Sequence, residues 1–219
     1  MSTLTLDYLD AIAHLPVGGT LTLNDVSWED YEQLLEDRGD RAAVRVSYDH
    51  GRLKIMSPTS GREGYGRSVS RLGSVLADAL DLIVEDYGST TYKQKWLQQG
   101  AEPDTCFYVQ NAAQIIGVRR LDLEKDPPPD VVVEIDLSHN SQEQFAIYAG
   151  MKVPEFWRYD GEQARIYRLQ GQDYQEVSHS LAFPILTSAA LTQFLDQTKT
   201  AGQTAALKSF RAWLHEAKS

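Results

Sequence analysis

The chain has 219 residues, a formal net charge of −10 and 42% hydrophobic residues. That is enough for one domain with appendages, or two small ones, and for a core that needs no disulfide or metal staple. The acidic balance argues against tight, non-specific nucleic-acid binding without metal, because counterion release at phosphates calls for a basic face. No apolar run approaches the roughly 20 residues of a membrane span. Met1 to Leu15 carries Asp7 and Asp10 rather than a basic leader, and the single Cys106 excludes an internal disulfide. These features lead us to expect a soluble, cytoplasmic protein with no membrane partner.

Residues 24–36 suggest a short helix, with Ser27 followed by Glu29 and Asp30 in a capping box. Strands over 44–48 and 52–56 flank Asp49-His50-Gly51, a hairpin signal. After the 57–61 loop, Val69, Leu72, Val75, Leu76, Ala79 and Leu80 recur at helical spacing, which predicts an amphipathic helix over about 62–80. Residues 82–85, 91–96 and 106–110 read as extended pieces separated by Gly88 and Gly100. Residues 121–126 lead into three prolines, 127–129, a stiff approach to the next strand. A short helix is expected over 141–151 and an extended piece over 154–159, then a turn at Asp160-Gly161 into a strand over 164–169. The tail from Thr187 is helical, with Phe210, Trp213 and Leu214 in a stripe that could pack on its own core or support a homodimer. The order implies one α/β (α+β) domain over 1–219, with a core over 44–186 and a helical tail over 187–219.

The most informative stretch is Pro128-Pro129-Asp130-Val131-Val132-Val133-Glu134-Ile135-Asp136. Its β-branched run wants to be a buried strand, and alternation puts Asp130, Glu134 and Asp136 on one face. Burying an unpaired carboxylate costs several kcal/mol, roughly, so such a face calls for a cation, and a divalent metal answers it. The alternative is that Asp130 and Asp136 cap the strand ends while Glu134 pairs with an arginine. A second Pro-Asp, in Glu102-Pro103-Asp104-Thr105-Cys106-Phe107-Tyr108, also opens a strand. If the two strands are neighbours, Asp104 and Glu134 could converge on one metal.

Other candidates are weaker. The five histidines show no metal-ligand spacing, and His139, beside the acidic strand, is expected in a loop where Ser138-His139-Asn140-Ser141 caps a helix. Cys106 is expected in or near the core, Trp157 and Tyr159 in packing, and Gly18-Gly19 in a turn rather than a phosphate loop.

Four segments in order, Gly51–Thr59, Glu102–Tyr108, Pro128–Asp136 and Tyr148–Asp160 with its Val-Pro-Glu-Phe-Trp, carry a family resemblance over about residues 44–186. The chain resembles the Uma-two family of restriction-endonuclease-like proteins, a branch of the PD-(D/E)XK nuclease superfamily. The resemblance implies a mixed β-sheet flanked by helices and an endonuclease that hydrolyses phosphodiester bonds in DNA with Mg²⁺ or Mn²⁺. By matching positions it implies Asp104 and Glu134 as metal ligands and Glu63 as an auxiliary acid. Asp136 is a further metal ligand or lies just behind the ligands, as does Asp130. Many family members place a lysine four residues before the tyrosine of the helix after the acidic strand; that position here is Gln144, and the E-x-K position is Asp136. Gln144 can orient a water but supplies no positive charge; Lys93, Lys95 or Lys152 could stand in. A catalytically impaired nuclease fold, serving as a binding or assembly module, is the competing expectation.

Overall fold

The computed structural model describes residues 3–39, 44–137 and 143–218, which form two β-sheets and seven α-helices. The first sheet is antiparallel, in the order β1 (Thr20–Leu23), β3 (Arg52–Met56), β2 (Arg45–Asp49), β6 (Gln99–Ala101), β5 (Tyr92–Gln94). The second runs β11 (Asp173–Val177), β10 (Ala164–Gln170), β9 (Glu155–Tyr159), β8 (Val131–Ile135), β7 (Thr105–Tyr108), β4 (Glu85–Asp86). It is mixed, and β8 and β9 are its parallel pair. The α/β class is as expected, but the hairpin does not join a single central sheet. His50 and Gly51 both take positive φ, 47° and 90°. That is the two-residue primed turn that closes Asp49 onto Arg52. The hairpin then organises its own small core around Trp28, Tyr31, Tyr48 and Ile55, under the helices α1 (Thr3–Ala13) and α2 (Trp28–Arg38).

Every residue of β8 is buried, which is why it reads as a continuous apolar run rather than an alternation. Val131, Val133 and Ile135 face one core with Leu72, Leu76 and Trp157, and Val132 faces the other with Tyr148 and Phe156. Helix α3 (Ser60–Leu80) links the two sheets and packs on β7. Gly73 permits this contact: a Cβ there would lie 2.5 Å from the Phe107 ring, and one at Gly66 would lie 3.3 Å from the Asp104 carbonyl oxygen. The close approach sets the first turn of α3 over the start of β7.

The tail breaks at Gly202 (φ 85°) into α6 (Ser188–Thr200) and α7 (Gln203–Ala217). Phe210 and Leu214 are buried, and Phe210 stacks on Trp213, so the stripe is spent on the chain's own core. Several elements escaped the sequence pattern: α1, β1, β6, the four-residue α4 (Ala112–Ile115) and β11. Strand β6 has no β-branched residue, and its Gly100 is needed because the Tyr31 ring lies against it. Residues 82–84 are irregular before β4, 95–97 form a 3₁₀ turn, and α5 (Gln144–Gly150) is shorter than expected among the described residues.

Candidate active site

The second Pro-Asp lies where the chain crosses from the first sheet to the second. Glu102 belongs to the first sheet: Arg38 donates to both its oxygens at 3.0 and 2.7 Å, and the Val46 amide donates at 2.9 Å. Two residues on, Asp104 belongs to the second: it accepts from the Ile135 amide at 2.7 Å. Thr105 faces Val133 and Cys106 faces Val132 across the β7–β8 ladder. One step further sets Asp104 opposite Glu134, so the two acids are cross-strand neighbours.

Between them lies Arg62, from the first turn of α3. Its Nε donates to Asp104 Oδ1 at 2.7 Å and its Nη2 to Glu134 Oε2 at 2.8 Å. From the other side come two residues one helical turn apart on α5. Tyr148 Oη donates to Glu134 Oε1 at 3.0 Å. With its amide turned nitrogen-first, Gln144 donates to the two Glu134 oxygens at 2.9 and 3.2 Å. Glu134 is completely buried and Asp104 nearly so. Burial raises the pKa of Glu134 well above the usual carboxylate range, and the Asp104 charge adds to it. Burial also raises Asp104, with Arg62 opposing. For Arg62 burial works against the charge, but the two carboxylates more than offset it and hold the guanidinium protonated.

The other acids of the strand find separate partners. Asp136 accepts from Arg158 Nε at 2.5 Å, and Arg158 stands opposite Glu134 in the β8–β9 ladder. The Asp136 charge still acts on Arg62 and Glu134. Asp130 ties down the loop after β7 by accepting from the Val109 and Asn111 amides at 2.7 and 3.0 Å. The alternative weighed from sequence thus describes Asp130, which caps, and Glu134, which pairs with an arginine. Glu63 is half-buried at the rim, 2.6 Å from Arg45. Arg67 also lies 4.0 Å from Glu63, and Lys54 and Arg52 lie 3.4 and 3.6 Å from Glu143, the residue before α5.

Lys93 and Lys95 pair with Glu32 and Glu29 beside the first sheet, and Lys152 is exposed in the turn after α5. His139 and its neighbours lie outside the described residues. Cys106 is buried, its thiol pushed up to about 12 by burial. Trp157 and Tyr159 are buried in the core between β8 and α6 and pack there.

Among the described residues, no three of His, Cys, Asp and Glu come together as a metal site. Asp104 and Glu134 are nevertheless two hard oxygen donors on neighbouring strands, and Mg²⁺ is commonly held by one or two carboxylates plus water and substrate phosphate. The donor chemistry fits such an ion, provided the guanidinium between the carboxylates turns away.

A family model described as "Uma2: Putative restriction endonuclease" matches residues 28–197, a stretch that takes in both acids, Arg62 and all of α5. The chain belongs to the Uma2 family. Among solved structures it is similar to a crystal structure described as "a putative nuclease belonging to DUF820 from Anabaena variabilis ATCC 29413". The TM-score is 0.51 and the identity 16%, over 78% of this chain and 99% of that one, a likeness of fold. No curated protein matches the chain.

Sequence reasoning brought Asp104, Glu134 and Gln144 to one place in this Uma2 protein but missed Arg62, Tyr148 and Arg158. A signal existed. Buried acids need cations, and Arg62 and Arg158 lie beside or within the motif segments.

Proposed function

We propose that this Uma2 protein is a DNA endonuclease whose phosphodiester hydrolysis centres on Asp104 and Glu134. The observation that carries the reading is the buried cross-strand acid pair, held by Arg62, Ile135, Tyr148 and Gln144. Asp104 and Glu134 would hold Mg²⁺ or Mn²⁺, which supplies an acidified water and neutralises charge building on the phosphate. The chain's own residues do the positioning. Ile135 and Tyr148 fix the direction of each carboxylate, and Gln144 holds Glu134 from the position where the family resemblance implies a lysine in many members. Asp136, paired with Arg158, adds negative field behind them. Glu63 keeps Arg45 at the mouth, where its guanidinium can meet a phosphate. Two cations for each acid, Arg45 and Arg67 with Glu63 and Arg52 and Lys54 with Glu143, give these patches a local excess of positive charge in a chain of net charge −10.

The test is cleavage of supercoiled plasmid with Mg²⁺ or Mn²⁺ by wild type, Asp104→Asn and Glu134→Gln, with folding checked by circular dichroism. The reading expects cleavage in wild type and a loss on the order of 10²-fold or more in each variant. Equal cleavage by all three overturns it. The Arg62 pairing and the neutral Gln144 favour one other reading, a nuclease fold kept as a binding or assembly module. That reading expects no cleavage by wild type with either metal.

A further inference from the structure

We propose that Arg62 is a displaceable cation: it occupies Asp104 and Glu134 until a divalent ion takes them, so guanidinium and metal compete for the same two carboxylates. This rests on reading the pair as a metal site. The first argument is place. A single guanidinium spans both acids, at 2.7 Å through Nε and 2.8 Å through Nη2, so ion and side chain cannot share the position. The second is charge. A single guanidinium can balance only one ionised carboxylate of the pair, whereas a divalent ion can balance both. The third is what stays behind. The remaining donors are neutral: Tyr148 and Gln144 meet Glu134 Oε1, Gln144 also meets Oε2, and Ile135 meets Asp104 Oδ2, so the two oxygens that Arg62 vacates, Asp104 Oδ1 and Glu134 Oε2, keep capacity for an ion.

The fourth argument is freedom to move. The backbone of Arg62 is fixed by its amide, which donates to the N-cap hydroxyl of Thr59 at 3.2 Å, so the helix persists whichever way the side chain turns. The Arg62 side chain already keeps 9% of its surface exposed, and beyond the two carboxylates its head is held only by a weak contact from Nη1 to the Met56 sulfur at 3.2 Å. A released guanidinium fork matches two phosphate oxygens, and it would bring positive charge to a site whose position 144 has none.

The experiment is a calorimetric Mn²⁺ titration of full-length wild type, Arg62→Met, Arg62→Lys and the double variant Arg62→Met/Glu134→Gln. Competition expects Mn²⁺ to bind Arg62→Met at least tenfold more tightly than wild type, Arg62→Lys to fall between, and the gain to vanish in the double variant. Equal affinity in wild type and Arg62→Met overturns the competition and leaves the acid pair intact as a metal site. Absence of binding in every folded variant overturns the acid-pair reading itself. Should Arg62→Met fail to fold, Arg62→Lys carries the comparison, and an affinity equal to wild type there overturns the proposal.

Discussion

Arg62→Met is the most informative single change, because it keeps most of the side-chain volume and removes only the charge between two buried carboxylates. Two charge-assisted hydrogen bonds, 2.7 and 2.8 Å long, are lost. At about 1.5–3 kcal/mol each they sum to roughly 3–6 kcal/mol. Breaking a buried ion pair by removing one partner independently costs about 3–5 kcal/mol. The two estimates meet near 4 kcal/mol. The loss has a pH signature. Burial already raises Asp104 and Glu134 in the folded state, and without Arg62 they rise further. A carboxyl whose folded pKa lies above its unfolded one, near 4, imposes no penalty below that value and a growing one as pH rises through the folded pKa. The variant is therefore expected to approach wild type near pH 4 and to fall furthest behind at pH 8. Urea unfolding of both proteins across that range at fixed ionic strength measures it. A pH-independent difference, or one below about 1 kcal/mol at pH 8, refutes the reasoning.

Three further outcomes follow from the same structure. Glu155, wholly buried, accepts from Trp157 Nε1, Ser180 Oγ and the Leu181 and Ala182 amides, bolting the 180–182 turn to β9. Glu155→Ala should lower unfolding free energy by about 3 kcal/mol through those orphaned donors and leave Mn²⁺ affinity unchanged in calorimetry. Tyr148→Phe deletes one donor to Glu134 and should cost about 1–3 kcal/mol in urea unfolding at neutral pH. Gln144→Lys sets an ammonium against Glu134 and should raise plasmid cleavage on the order of 10²-fold; an unchanged rate would mean that the absent lysine does not limit this protein.

Much of the site was legible because strand alternation and Pro-Asp punctuation are local signals. The acidic strand and its burial follow from β-branched composition, whereas the meeting of Asp104 and Glu134 depends on the two strands being neighbours and is otherwise implied only by the family resemblance. The helix pattern gave the span of α3 nearly to the residue, since Val69, Leu72 and Leu76 really do face the core. What stayed hidden was long-range. Nothing local says that Arg62 reaches across 42 and 72 positions to two acids, or that Arg158 rather than a metal meets Asp136. The separate first sheet was hidden for another reason. Its β6 is three residues long and built around a glycine that Tyr31 covers, so packing, not propensity, makes it a strand.

The central claim is that Asp104 and Glu134 form one cation site. A Mn²⁺ titration by calorimetry on wild type, Arg62→Met, Asp104→Ala and Glu134→Ala tests it most directly. The account expects one binding event in wild type, absent from both acid variants while their circular dichroism spectra stay native. Binding that survives substitution of either acid, or absence of binding from both wild type and Arg62→Met, contradicts it.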